Sequence, residues 1–212
     1  MSAGLTLAGV TISLAGRVLV PPLDLAVAPG AVTTVMGPSG SGKSTLLAHV
    51  GGFLDPAFAA TGRIAVDGQD VTTLPAPERR LGILFQDDLL FPHLSVGGNL
   101  AFGLAASVRG RAERRQRIAA ALADSGLAGF AERDPATLSG GQRARIALLR
   151  CLLAEPRALL LDEPFSKLDT ALRRDFRRFV FEHARARSLP ALLVTHDPED
   201  AAAAGGPVVT LR

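Results

Sequence analysis

Gly37-Pro38-Ser39-Gly40-Ser41-Gly42-Lys43-Ser44-Thr45 is the stretch that decides the fold. Before it, Ala31 to Met36 is a short, β-branched apolar run that reads as a strand; from Ser44 onward the chain reads as a helix. A glycine-rich loop between a strand and a helix matches the phosphate-binding pattern, and each residue type has a reason. Glycines let successive backbone N–H groups turn inward around phosphate oxygens. The helix N-terminus adds partial positive charge. Lys43 is placed to reach the β- and γ-phosphates and Ser44 to ligate Mg²⁺. Gly37 to Thr45 are therefore the candidate nucleoside triphosphate cradle.

Working outward, the chain alternates between strands and helices. Leu5–Ser13, Leu23–Val27, Arg63–Val66, Leu81–Phe85, Ala158–Leu161, Ala191–Thr195 and Val208–Leu211 read as strands, with turns at Pro29-Gly30 and Asp67-Gly68. From Asp87 to about Leu153 the pattern turns helical, with Ser95 as a cap and Arg111–Ala123 as one helix. Ala171–Arg187 reads as an amphipathic helix. Such alternation predicts an α/β fold with a mainly parallel sheet covered on both faces, and a helical lobe inserted in the middle.

A second acidic motif completes the chemistry. Ala158-Leu159-Leu160-Leu161-Asp162-Glu163-Pro164 is an apolar strand that ends in two carboxylates. Neighbours on a strand point opposite ways, so the two acids can differ in role. Asp162 is the candidate Mg²⁺ partner. Glu163 is placed to polarise an attacking water.

Composition bounds the alternatives. The 212 residues are 48% apolar, which excludes a disordered chain. No apolar run reaches eighteen residues, so no transmembrane helix is expected. Met1–Val10 carries no basic residue ahead of its apolar stretch and does not read as a signal peptide, so a cytosolic location is expected. The single cysteine, Cys151, suits that compartment and reads as a small buried hydrophobe. Net charge is +3, and Lys43 and Lys167 are the only lysines. Two arginine clusters, Arg109–Arg117 and Arg173–Arg178, are interrupted by Glu113 and Asp175. They read as solvated helix faces, and no nucleic acid partner is expected. His49 and His183 read as structural.

Leu138-Ser139-Gly140-Gly141-Gln142-Arg143 makes the reading specific. With the two motifs above, it resembles the signature of the ABC ATPase cassette, and the resemblance covers nearly the whole chain. It implies a P-loop NTPase (RecA-like) core, a small antiparallel β lobe and an inserted α-helical lobe. The core and β lobe would occupy about 1–86 and 155–212, and the helical lobe about 87–154. It implies ATP and Mg²⁺ as cofactors and a dimer of cassettes. In that dimer Ser139, Gly140, Gly141 and Gln142 close over the ATP held by the partner subunit. Gln86 resembles the Q-loop glutamine, which senses Mg²⁺ and the γ-phosphate. Ser166-Lys167-Leu168-Asp169 resembles the D-loop, whose Asp169 crosses to the opposite site. Thr195-His196-Asp197 resembles the H-loop, so His196 would hold the γ-phosphate and help position water.

The stretch Ile83 to Leu94 is similar to cassettes of thiamine-, polyamine- and iron-type importers. That similarity implies transmembrane permease subunits, an external substrate-binding protein, and a place on the cytoplasmic face of the cell membrane. Leu89, Leu90, Phe91, Pro92 and Leu94, rimmed by Asp87, Asp88 and His93, are the candidate dock for the permease. Two departures stand out. Aligned on Gly30 and Gly37, the family's adenine-stacking aromatic falls on Leu14; the chain has no Tyr or Trp, and its first Phe is Phe53. The sequence also ends at Arg212, soon after the H-loop, so no C-terminal regulatory domain is expected. Exporter-type and soluble ABC ATPases, and a non-catalytic nucleotide-binding regulator, are the other readings. The acids, Lys43 and His196 argue against the last.

Overall fold

A computed structural model describes residues 4–211; Met1, Ser2 and Ala3 of the N-terminal segment, and Arg212, lie outside them. Two sheets form. The first is antiparallel, in the order β2-β1-β4-β5, from β1 (Leu5–Leu14), β2 (Arg17–Val27), β4 (Phe58–Val66) and β5 (Gln69–Asp70). The second has the order β6-β7-β8-β3-β9, from β3 (Val32–Met36), β6 (Leu81–Leu84), β7 (Ala158–Asp162), β8 (Ala191–Val194) and β9 (Val208–Thr210). Every pairing in it is parallel. Parallel neighbours need crossovers, and helices supply them: α1 (Lys43–Gly51), α2 (Ala76–Arg79), α3 (Val96–Gly103), α4 (Arg111–Asp124), α5 (Gly140–Leu153), α6 (Thr170–Ala186) and α7 (Pro198–Ala204).

The strands of the parallel sheet are buried on both faces, so they read as continuous apolar runs rather than alternating ones. Their side chains still alternate in space. Leu160 and Leu192 enter a core shared with α1 and the antiparallel sheet, among Leu46, Val50, Ile12 and Ile64. Leu159, Leu161 and Leu193 point to the other face and meet Leu148, Phe176 and Val180 of α5 and α6. A third apolar cluster joins α3, α4 and α5 through Leu100, Ile118, Leu122, Ile146 and Leu149. Helix α5 serves two clusters at once, Leu148 and Leu152 facing one and Ile146 and Leu149 the other, so it is apolar on most of its circumference.

The antiparallel strands are longer than the sequence predicts. β2 begins at Arg17, not Leu23, and runs through Pro21-Pro22. It lies at the sheet's edge, where a residue without N–H breaks no central ladder. β4 begins at Phe58, not Arg63, because its first half, Phe58 to Thr61, pairs through backbone with Thr11 to Leu14 of β1. The helical stretch expected from Asp87 to about Leu153 starts later than that and holds the two expected helices. Residues 85–95 are irregular, and three separate helices follow, with a 3-10 turn at Pro135–Thr137. Ser95 does cap α3, its hydroxyl accepting from the Gly98 N–H at 3.1 Å.

Candidate functional site

In a parallel α/β sheet, ligands bind beyond the carboxyl ends of the strands. Four candidate segments lie there. β3 ends at Met36, directly before the glycine loop; β7 ends at Asp162; β8 ends at Val194, just before Thr195 and His196; and β6 ends at Leu84, before Gln86. β7, β8 and β3 are neighbours in that order, with Asp162 opposite Val194 and Val194 opposite Val35. The sheet therefore brings the loop, the two acids and the histidine to one rim.

The loop is held in an open curl. Gly42, the residue before α1, has φ +88°, and a Cβ there would lie 2.9 Å from Val20 Cγ2. Only glycine meets both demands. The Lys43 ammonium is buried and donates to the carbonyls of Gly37 at 2.8 Å and Pro38 at 2.9 Å, so it lies folded across its own loop. Ser41 Oγ is buried and has no hydrogen-bond partner among the described residues, although its backbone N–H reaches Pro38. A buried hydroxyl without a partner inside a ring of glycines fits an anionic oxygen ligand. Pro38, Ser39 and Gly40 form the exposed lip, and Thr45 lies half-buried in the first turn of α1.

The acids divide their work by geometry. Ser44 Oγ donates to Asp162 Oδ1 at 3.0 Å. Burial pushes the Asp162 carboxyl above the usual range; the Ser44 hydroxyl pulls it back, the Glu163 charge raises it further, and Lys43 lowers it. A hydroxyl and a carboxylate side by side are the oxygen donors that a small hard cation takes, with waters and substrate phosphates completing its shell. No cluster of three or more His, Cys, Asp or Glu suited to a metal exists among the described residues, so Mg²⁺ there would depend on those additional oxygens. Glu163 takes a left-handed conformation, φ 45°, rare for a residue with a side chain. It is pinned there by its N–H to Val194 O at 2.9 Å and by the Ser166 hydroxyl donating to its carbonyl at 2.9 Å. Its Oε2 lies 3.0 Å from His196 Nδ1, while the His196 ring stays 57% exposed and so is open to a ligand.

Gln86 and the signature sit on a separate cleft. About 130 Å³ is enclosed by Gln86, Asp87, Gly140, Arg143, Lys167 and Leu168 together with their neighbours. Ser139 caps α5 in a reciprocal box: its hydroxyl accepts from the Gln142 N–H at 3.3 Å, and Gln142 Oε1 accepts from the Ser139 N–H at 2.9 Å. Gly141 permits close packing, since a Cβ there would lie 3.1 Å from Leu172 Cδ2. Asp169 caps α6 by accepting from the Leu172 N–H at 3.0 Å. Among the described residues, no hydrogen bond or ion pair joins Ser139–Gln142 or Asp169 to the phosphate loop. One chain thus assembles the loop, Asp162, Glu163 and His196, and among the described residues bonds neither the signature nor Asp169 to the phosphate loop.

One expectation is revised. Arg173–Arg178 is not simply a solvated face. Arg173 and Arg177 turn inward onto Asp200, which is 1% exposed, because α7 lays its acidic first turn against α6; Arg178 stays in solvent, 70% exposed. Cys151 is largely buried, as a small hydrophobe would be, but its thiol is also bonded. Its Sγ donates to Ile83 O at 3.0 Å, and burial pushes its thiol up to about 11, so it is inert at neutral pH.

The sequence reading also missed Phe102. It stands 71% exposed on α3 and packs edge-on against Phe91 at 4.7 Å. Both line a groove of about 690 Å³ with Phe85, Leu89, Leu104 and Ala105. The signal was present: Val96 and Leu100 define the buried stripe of α3, and Phe102 falls off it.

A family model described as ABC transporter matches residues 20–166. The chain belongs to the ABC transporter family, as its ATP-binding, ATP-hydrolysing component. An uncharacterized ABC transporter ATP-binding protein, YnjD of Escherichia coli strain K12, is 52% identical over 182 residues, which is 86% of this chain and 83% of that relative. The Fe(3+) ions import ATP-binding protein FbpC 1 of Rhizobium meliloti strain 1021 is 43% identical over 193 residues, 91% of this chain and 54% of its own length. FbpC 1 of Haemophilus influenzae is 40% identical over 208 residues, 98% of this chain and 62% of that relative. The chain therefore spans under two thirds of the length of these iron-import relatives. No helix among the described residues is long and apolar enough to cross a membrane.

Proposed function

We propose that this chain energises import of a solute across a cell membrane, as a peripheral ATPase on the cytoplasmic face. The observation that carries the chemistry is the single rim on which the glycine loop, the Ser44–Asp162 pair and the Glu163–His196 pair meet. Loop N–H groups and Lys43 hold the phosphates, and Lys43 exchanges its two carbonyl acceptors for phosphate oxygens. Ser44 and Asp162 would hold Mg²⁺, and Gln86 would sense it from the adjoining cleft, which Pro164 also lines. Mg²⁺, when bound, neutralises charge on the β- and γ-phosphate oxygens. Glu163 orients and polarises the attacking water, and His196, 3.0 Å away, supports the γ-phosphate from the same side.

Ser139, Gly140, Gly141, Gln142 and Asp169 lie off this rim, which is the arrangement a half-site needs. A second cassette brings its own signature over the nucleotide, and two ATP molecules are enclosed head to tail. ATP binding closes that dimer and hydrolysis reopens it, and the difference in affinity between the two states drives the permease. The chain acts as one ABC ATPase domain, 1–212, with a core and β lobe at about 1–86 and 155–212 and a helical lobe at about 87–154. The groove beneath Leu89, Phe91 and Phe102 receives a short apolar helix of the transmembrane permease. An external binding protein and the permease supply selectivity; import is taken from the names of the FbpC relatives.

Phosphate release from ATP by the purified chain tests the chemistry. Activity is expected to vanish with EDTA and to fall at least about a hundredfold in Lys43→Ala. Turnover indifferent to both would overturn the assignment.

A further inference from the structure

His196 is 57% exposed, and its ion-pair partner is Glu163. An exposed ring needs something else to fix its backbone, and its two neighbours in sequence supply it. Thr195 is 1% exposed; its hydroxyl donates to Asp200 Oδ2 at 2.8 Å and accepts from the Asp197 N–H at 3.1 Å. Asp197 Oδ2 meets Arg173 Nη2 at 2.7 Å, and the same nitrogen meets Asp200 Oδ2 at 2.8 Å. Arg173 Nε adds a bond to Asp200 Oδ1 at 3.2 Å, and Arg177 Nε donates to that oxygen as well. Asp200 is thus a buried carboxylate on which two arginines of α6 and the residue before His196 all converge. Such a network, fully satisfied, holds one geometry.

We propose that Asp200, gripped by Arg173 and Arg177, is the positioning residue that sets His196 against Glu163 and the γ-phosphate. The proposal rests on the reading of Glu163 and His196 as the hydrolytic pair. Asp200 touches no substrate; it acts through Thr195 and Asp197, which bracket the histidine. The alternative role is purely structural, a clip between α6 and α7, and the two differ in what they predict. A clip affects the fold alone. A positioning group affects the histidine even when the fold is intact.

Thr195→Val separates them, because it keeps shape, leaves both arginines on Asp200 and removes the hydroxyl that joins Asp200 to the residue before His196 and accepts from the Asp197 N–H. Asp200→Asn and Asp200→Glu complete the series in the full chain. Turnover of ATP is expected to fall about tenfold or more in Thr195→Val and Asp200→Asn, with KM within about twofold, since a small misplacement penalises the transition state more than the bound ground state. Asp200→Glu is expected to restore part of the loss. Melting temperature is measured alongside. The ring signals of the four histidines are followed by NMR on ¹³C-histidine-labelled protein. The His196 signal is expected to move or broaden in both deficient variants, while His93 and His183 stay in place. An unmoved His196 signal overturns the proposal, whether or not the isolated chain turns over. So does full turnover with nothing but a lowered melting temperature. Glu163→Gln is run in parallel. Normal hydrolysis in that variant sinks the reading of the site, and the His196 signal still decides whether Asp200 fixes the ring.

Discussion

The rim at the carboxyl ends of β3, β7 and β8 and the groove beneath Phe91 and Phe102 are built on opposite principles. On the rim, polar side chains are engaged within the chain, Lys43 with its loop carbonyls, Ser44 with Asp162, Glu163 with His196 and Thr195 with Asp200, and Ser41 Oγ is the exception. In the groove, large apolar side chains stand in solvent, with Leu89 54% and Phe102 71% exposed. Preorganised polar groups suit chemistry, because they cost no reorganisation when charge develops. Exposed apolar groups suit association, because covering them releases water. The groove is also joined to the signature helix. Arg143 of α5 holds Asp88 at 2.9 Å, and Arg150 of α5 donates to the carbonyls of Asp88 at 3.1 Å and Leu89 at 2.9 Å. The helix that starts at the signature therefore grips the floor of the groove. That contrast makes a simple expectation: substitutions on the rim change turnover without changing the fold, and those in the groove change assembly without changing turnover.

The largest expected effect is at Glu163. Glu163→Gln keeps the shape and the left-handed backbone but removes the charge that polarises water. Hydrolysis is expected to fall by about 10²–10⁴-fold, the range for losing a general base. ATP binding should persist, so a nucleotide-bound dimer accumulates and elutes earlier on size-exclusion chromatography with ATP. Turnover near that of the unaltered chain would break the contrast at its polar end.

These two regions were not equally legible. Strand and helix periodicity marked the parallel strands to within about a residue or two, because buried parallel strands are short apolar runs bounded by turns. Lys43, Ser44, Asp162 and Glu163 were found from residue type and place at strand ends, and His196 from its resemblance to the H-loop; the structure puts them on one rim. The network behind them was not. Asp200 sits in a short alanine-rich helix, α7, with no amphipathic pattern long enough to announce it, and its partners lie 23 and 27 residues away. Asn99 escaped for a similar reason. It lies fully buried in α3, accepts from the Phe91 N–H at 2.8 Å and donates to the carbonyls of Phe91, Leu94 and Ser95. A buried amide that shapes a loop is visible only when the loop has folded onto it. The groove was half legible: Leu89 and Phe91 were read from their crowding, whereas Phe102 required knowing which way α3 turns.

A smaller effect is expected at the tip of the β1–β2 hairpin. Leu14 pairs with Arg17 across the Ala15-Gly16 turn and is 38% exposed, so it is not a core residue. Farther along β2, Leu19 and Val20 pass directly beside Gly42 of the phosphate loop. A side chain at the hairpin tip is therefore free to meet a base without disturbing packing. Base–aromatic stacking contributes about 1–3 kcal/mol, so Leu14→Tyr is expected to tighten ATP binding by about tenfold in calorimetry. Unchanged affinity, with weakening in Arg17→Ala instead, would place the base on the exposed arginine and move the rim's boundary by one strand.

The smallest effects on the isolated chain are expected in the groove, and they differ between its two phenylalanines. Phe91 is half-buried between Phe102 at 4.7 Å, His93 at 5.8 Å and the Arg150 guanidinium at 5.4 Å. Removing its ring forfeits a good part of that packing. A fully buried phenylalanine costs about 3–5 kcal/mol on truncation, so a half-buried one costs about 2 kcal/mol. For a chain of this size that is a fall of about 4–8 °C in melting temperature. Phe102 buries little of its surface, so Phe102→Ala is expected to melt within about 2 °C of the unaltered chain and to hydrolyse ATP at the same rate. Capture by the solubilised permease separates the two roles. Phe102→Ala is expected to lose it while remaining folded and active, and Phe91→Ala to lose part of it along with stability. If Phe102→Ala is captured and transports normally, the exposed ring is not part of the dock. If Phe102→Ala instead melts several degrees early, it belongs to the fold, and the contrast between rim and groove fails at its apolar end.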